Sequence, residues 1–166
     1  MMSVSAAARK WITAMVLVAL CTPLAAQSRL DKALEKYQEE TDPVRKARAL
    51  AKLGGPEIDL AMKQLKAGED VTSLETLEKY RDQVQQTFAA LKATGIDAER
   101  KPAGFKELQI SLRRTLRSID DLVLALPVDK RPFFRAVRDE LAKVQNDLID
   151  ALFPRRPTRN PQSKNP

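Results

Sequence analysis

Residues 104–126, GFKELQISLRRTLRSIDDLVLAL, and 131–153, RPFFRAVRDELAKVQNDLIDALF, decide the fold class. Apolar residues in the first stretch fall at Phe105, Leu108, Leu112, Leu116, Ile119, Val123 and Leu126. In the second they fall at Phe134, Val137, Leu141, Val144, Leu148 and Leu152. Every gap is three or four residues, so each stretch forms a helix with one apolar stripe. The joint Leu126-Pro127-Val128-Asp129 is short enough to force the two helices antiparallel. The two stripes then face each other or share a third helix.

Upstream, punctuation marks further helices. Arg29–Glu40 predicts a first helix with Leu30, Ala33, Leu34 and Tyr37 on one side. Thr41-Asp42-Pro43 is a boundary and restart, with Asp42 as cap and Pro43 at the first helical position. A second helix carries Val44, Ala47, Leu50, Ala51 and Leu53 and is expected to stop at Gly54-Gly55. Pro56-Glu57 open a short third helix with Ile58, Ala61, Met62 and Leu65, ending at Ala67-Gly68. Thr72 or Ser73 is the expected cap of a long fourth helix. Its stripe runs Leu74, Leu77, Val84, Phe88 and Leu91, with Arg81 at one seam position packing its stem and extending its charge to water. Thr94-Gly95 end it, and Asp97–Ala103 is a polar connection. Leu34-Glu35-Lys36-Tyr37 recurs as Leu77-Glu78-Lys79-Tyr80, but the match does not extend and no third copy follows, so chance explains it better than a repeat.

The expected fold is therefore all-α, an antiparallel helical bundle of five or six helices. A long C-terminal hairpin is its core, with short N-terminal helices docked on it. Composition agrees: of 166 residues, 43% are hydrophobic, 31% charged and only 5% aromatic, too few period-two runs for a sheet.

The amino terminus reads as an export signal. Arg9-Lys10 precede the apolar run Trp11–Cys21, and Thr22-Pro23 with Ala25-Ala26 form a small-residue exit. The run is shorter than the roughly 20 apolar residues a membrane span needs. The expected division is a cleavable signal peptide over 1–26, cut between Ala26 and Gln27, one all-α domain over 27–154, and a basic, Pro-containing disordered tail over 155–166. Val18-Ala19-Leu20-Cys21 resembles the bacterial lipobox, with Leu20 where that motif has a small residue. Lipid anchoring through Cys21 is thus the minor alternative. Cys21 is the only cysteine, so a chain beginning at Gln27 has neither disulfides nor thiol chemistry.

The chemistry of this composition is narrow. Histidine is absent, which removes the commonest general base and metal ligand and the familiar nucleophilic triads. There is no glycine-rich phosphate loop, no G-x-S-x-G and no acidic calcium loop. Asp120-Asp121 is the densest acidic pair, but adjacent helical residues diverge. Arg117, three and four positions earlier, offers an intrahelical salt bridge. The reading is non-enzymatic, with no cofactor, no metal site and no small-molecule substrate indicated.

The formal net charge is +7. Two basic residues lie in 1–26 and four in 155–166, neither segment holding an acid, which leaves 23 basic against 22 acidic residues over 27–154. The excess is concentrated at the termini. Lys106, Arg113 and Arg117 make a positive edge on the first hairpin helix, and Arg131, Arg135 and Arg138 one on the second. Candidate anion-binding residues are Arg113, Arg117, Arg135, Arg138 and, in the tail, Arg155, Arg156 and Arg159. Without exposed aromatics for base stacking, nucleic acid is disfavoured. The expected role is an exported interaction or structural protein, periplasmic or secreted, that binds a protein partner in the periplasm or envelope. The alternative is an envelope-associated protein making weak contact with anionic membrane lipid or polysaccharide through its tail and arginine edges.

Overall fold

A computed structural model describes residues 23–154, with side chains from residue 29 onward. Five helices are packed against one another: α1 (Pro23–Glu39), α2 (Pro43–Lys66), α3 (Asp70–Ala93), α4 (Phe105–Ala125) and α5 (Arg131–Leu152). There is no strand among the described residues. The coarse expectation of an all-α helical bundle describes this structure.

All thirteen apolar positions of the two C-terminal stripes are buried. They sit in one core with Leu50, Leu53 and Ile58 of α2 and Leu77, Val84 and Leu91 of α3. Burying a Leu, Ile or Phe side chain contributes about 1.5–3 kcal/mol, so these stripes supply a large share of the driving force for assembly.

The largest departure from expectation is α2. The sequence predicts two short helices broken at Gly54-Gly55; the chain instead runs as one helix through Gly54, Gly55 and Pro56. Neither glycine has positive φ. An interior proline costs about 3 kcal/mol and an interior glycine about 1. Leu50, Leu53 and Ile58, all at or below 2% exposed, offset that cost by docking on both sides of the break. The glycine serves packing instead of termination. A Cβ at Gly54 would lie 2.6 Å from the Tyr80 hydroxyl and 3.2 Å from both Ser111 Oγ and Thr115 Oγ1. Tyr80 of α3 therefore crosses the bundle through the gap that Gly54 leaves, toward α4.

The start of α3 also differs. It begins at Asp70, and its flanking residue Glu69 makes no side-chain cap. Ser73 is fully buried inside the helix, donating to the Ala61 carbonyl of α2 at 2.8 Å. Thr72 supplies a carbonyl to the Thr76 hydroxyl. These two residues belong to the α2–α3 contact and the helix interior, so neither is the cap. By contrast Asp42 caps α2, accepting from the Arg45 N–H at 2.8 Å. Gly68 and Gly95 end α2 and α3 at positive φ, where a side chain would be strained.

Contacts order the helices in a ring: α2 packs on α3 and α4, α5 packs on α3 and α4, and α1 lies against α2. Between α2 and α4 the residue numbers rise together, Arg48 meeting Glu107 at 3.1 Å and Ser111 meeting Ala51 at 2.8 Å. Asp70–Lys130 and Arg81–Glu140 do the same between α3 and α5. Between α4 and α5 they run oppositely, Asp120 meeting Arg138 and Leu124 meeting Arg131. The connection 94–104 joins two helices that are not neighbours in the ring, and it is pinned by buried Ala98 and partly buried Ile96.

Candidate functional site

Three features of the surface and core could carry chemistry or recognition. The first is a groove of about 610 Å³ between α1, α2 and α3, lined by Tyr37, Gln38, Lys46, Glu75, Glu78, Lys79, Asp82, Gln83 and Gln86. Tyr37 closes its floor, with its hydroxyl 3.1 Å from Thr87 Oγ1 and the Lys46 ammonium 4.9 Å over its ring. The three carboxylates all stand on α3 and face Lys46 and Gln38, not another acid. Hydrolysis by paired carboxylates needs two acids opposed across a cleft, and this groove does not oppose them.

The second is a buried polar cluster at the Gly54 gap. The Tyr80 hydroxyl has no partner of full hydrogen-bond geometry. Ser111 and Thr115 lie beside it, but their protons go to the carbonyls of Ala51 and Ser111. Burial pushes the Tyr80 hydroxyl up to about 12, with the neighbouring hydroxyls opposing and Glu57 reinforcing the shift. Glu57, 3% exposed, has its own carboxyl raised by burial, an effect that the Lys79 charge partly offsets. The breaker residues Gly54-Gly55-Pro56 mask this cluster in the sequence. A signal was present: Ala47, Leu50, Gly54, Ile58 and Ala61 continue the three–four spacing straight through Gly54, which marks it as a seam position.

The third is the outer face of α4 and α5. Arg113, Arg117 and Arg135 are exposed and make no ion pair among the described residues. Arg138 is different. It donates to Asp120 at 2.8 Å and to Asp139 at 3.2 Å, so its charge is already matched. Arg131 is committed too, donating to the carbonyls of Leu126 and Leu124 at 2.9 and 3.2 Å, where it caps the end of α4. The expected Arg117–Asp120 bridge within α4 is replaced by the Asp120–Arg138 bridge between helices, because packing brings Arg138 to the carboxylate. Arg155, Arg156, Arg159 and Cys21 lie outside the described residues. The Ala26–Gln27 bond falls in the first turn of α1.

Apolar side chains also remain in solvent. Val71, Leu124, Val128 and Phe133 are between 62% and 75% exposed. They gather at one end of the bundle, where Lys130 beside the α4–α5 joint reaches Asp70 at the start of α3. Among the described residues no helix is long and apolar enough to cross a membrane, and no group of three or more acidic or thiol side chains is placed to hold a metal ion.

Comparison of the chain with protein-family models, with curated proteins and with solved structures gives no match.

Proposed function

We propose that this is an exported, non-enzymatic helical interaction protein that binds a protein partner in the periplasm or cell envelope. The scaffold is read as two antiparallel hairpins, α2–α3 and α4–α5, lying side by side with α1 docked on the first. The observation that carries the reading is the exposed apolar end formed by Val71, Leu124, Val128 and Phe133. Apolar side chains clustered in solvent mark recognition surfaces more often than isolated ones do. The export signal over 1–26 supplies the compartment, and cleavage between Ala26 and Gln27 is checked by sequencing the amino terminus of protein recovered from cells.

The binding reading is tested by placing a photoreactive side chain at Val128 or Phe133 in cells. A discrete protein adduct at both positions, absent when the probe stands at Lys92, is the expected result. Adducts with lipid alone, or equal adducts at Lys92, would retire the reading.

A second reading is favoured by the free charges of Arg113, Arg117 and Arg135. In it the protein binds anionic lipid or polysaccharide through these edges and the tail over 155–166. It expects co-sedimentation with anionic vesicles that salt abolishes and that weakens without the tail. Equal binding by the truncated chain counts against it.

A further inference from the structure

The Asp120–Arg138 bridge fixes which faces of α4 and α5 meet on the outside of the hairpin. Counting from Asp120 in helical steps of three and four, Lys106, Arg113, Arg117 and Leu124 share its stripe. Counting likewise from Arg138, the stripe holds Arg131, Arg135 and Ala142. The two stripes therefore border one furrow. Asp120 stands in the middle of the α4 stripe and is already bridged to Arg138, while Asp121 and Asp139 lie at the edges, one turn from Arg117 and Arg135. With six basic side chains against three acidic ones, the furrow is cationic although residues 27–154 as a whole are nearly neutral.

Its geometry is linear. From Lys106 to Leu124 the α4 stripe runs about 27 Å, at a rise of about 1.5 Å per residue, with charges about 6 Å apart where they stand one turn from each other. A single head group needs cations that converge. A row at helical spacing instead matches carboxylates repeated at the same spacing on another helix. The opposite hairpin shows that such a pair accepts a third helix here: α1 lies against α2 and reaches α3 through the Tyr37 hydroxyl and Thr87. Among the described residues nothing covers α4–α5 in that way.

We infer that the furrow between α4 and α5 is the docking site for an acidic amphipathic helix of a partner protein, whose carboxylates, repeated every three and four residues, pair with Arg113, Arg117 and Arg135. This deepens the protein-partner reading and rests on it. The helix lies lengthwise, with the exposed Ile110 and Leu124 offering apolar contact beside the charges. Electrostatic matching of this kind sets orientation and association rate and is eroded by salt.

The test uses the purified full chain and a synthetic helical peptide with Glu at every third and fourth position, against a peptide of the same composition in scrambled order. Binding is followed by fluorescence anisotropy at low and high salt. The patterned peptide should bind more tightly than the scrambled one. Arg113→Glu with Arg117→Glu should weaken it about tenfold or more, and Arg135→Glu alone by a smaller factor. A control pair on α1, Lys32→Glu with Lys36→Glu, should change it less than about twofold. All five positions are exposed, and circular dichroism verifies that each variant keeps its helices. Equal binding of both peptides would overturn the inference, as would equal loss in the α1 control. So would phosphatidylglycerol vesicles or polygalacturonate competing as well as the peptide, which would make the furrow an unspecific anion track. Peptide results and the Val128 crosslink separate the two ideas. A crosslink without peptide binding defeats the furrow alone, and peptide binding without a crosslink defeats the apolar end as the contact.

Discussion

The helix pairs α2–α3 and α4–α5 are held together by different means. In α4–α5, thirteen apolar side chains at three- and four-residue steps are all buried, and these two stripes hold no polar residue. In α2–α3 the seam includes Gly54, Ser73 and Glu57, with Thr87 also buried. There the helices approach through a missing Cβ, and a serine hydroxyl bonds a carbonyl of the neighbouring helix. An apolar seam tolerates change in shape and fails on charge. A seam built on close approach should fail on added volume.

The sharpest contrast comes from a charge in the apolar seam. Leu112→Asp or Leu141→Asp places an unpaired carboxylate where the native side chain is fully buried. The expected cost is about 4 kcal/mol or more, comparable to the whole stability of a small domain. Far-UV circular dichroism should show loss of helix at 25 °C, and a fully helical, soluble variant would mean the stripe is wrongly placed.

Next is volume in the other seam. Gly54→Leu should cost about 3 kcal/mol in urea unfolding, although glycine-to-leucine raises helix propensity by itself. An insensitive protein would show that Tyr80 can swing aside. Tyr80→Phe removes a buried hydroxyl without a partner and should stabilise by about 1 kcal/mol. Combined with Gly54→Ala it should recover part of the alanine's cost. That coupling, read from a double-mutant cycle, locates the strain between these two residues.

This difference explains what the sequence revealed. The α4–α5 stripes were legible because periodic apolar burial is what hydropathy records. Gly54-Gly55-Pro56 was misread as a break because breakers signal local preference, while the continuous helix is decided by tertiary contacts of Leu50, Leu53 and Ile58. Tyr80 escaped notice for a related reason: the heptad count put Arg81 on the seam, and the fully buried residue is its neighbour. For the candidate site, the arginine positions were legible but their engagement was not. That Arg131 and Arg138 are already committed depends on the register between two helices, which no spacing within one helix contains.

Two glutamates extend the comparison to pH, with opposite signs. Burial raises the Glu57 carboxyl. Its contribution is fully present below the unfolded value near 4.5 and is lost as pH rises through the higher folded value. Glu57→Gln should therefore stabilise at pH 7, and the gain should vanish in acid. For Glu107, burial alone would raise the carboxyl, but N–H bonds from Glu107 and Gly104 and the Arg48 charge outweigh it and lower the value. Its contribution is present above the unfolded value and is lost as pH falls through the folded one. Glu107→Gln should cost about 1 kcal/mol at pH 7, typical of a helix-start bond. Thermal melts from pH 3 to 8 distinguish the two. Parallel profiles for both variants would contradict the assigned surroundings.

The smallest effect on stability belongs to Asp120→Asn. The Asp120–Arg138 bridge is half exposed, with side-chain exposures of 49% and 34%, and pairs of that kind contribute about 0.5 kcal/mol or less. Its removal should barely move the melting temperature. The same change takes one negative charge out of the furrow and leaves Arg138 paired with Asp139 alone, so affinity for the patterned acidic peptide should rise and its salt dependence should steepen. A neutral substitution that leaves stability alone yet tightens an anionic ligand is difficult to produce by general loosening of the fold. If affinity instead stays level, Arg138 lies off the line the ligand follows, and the contact narrows to the α4 edge carrying Arg113 and Arg117.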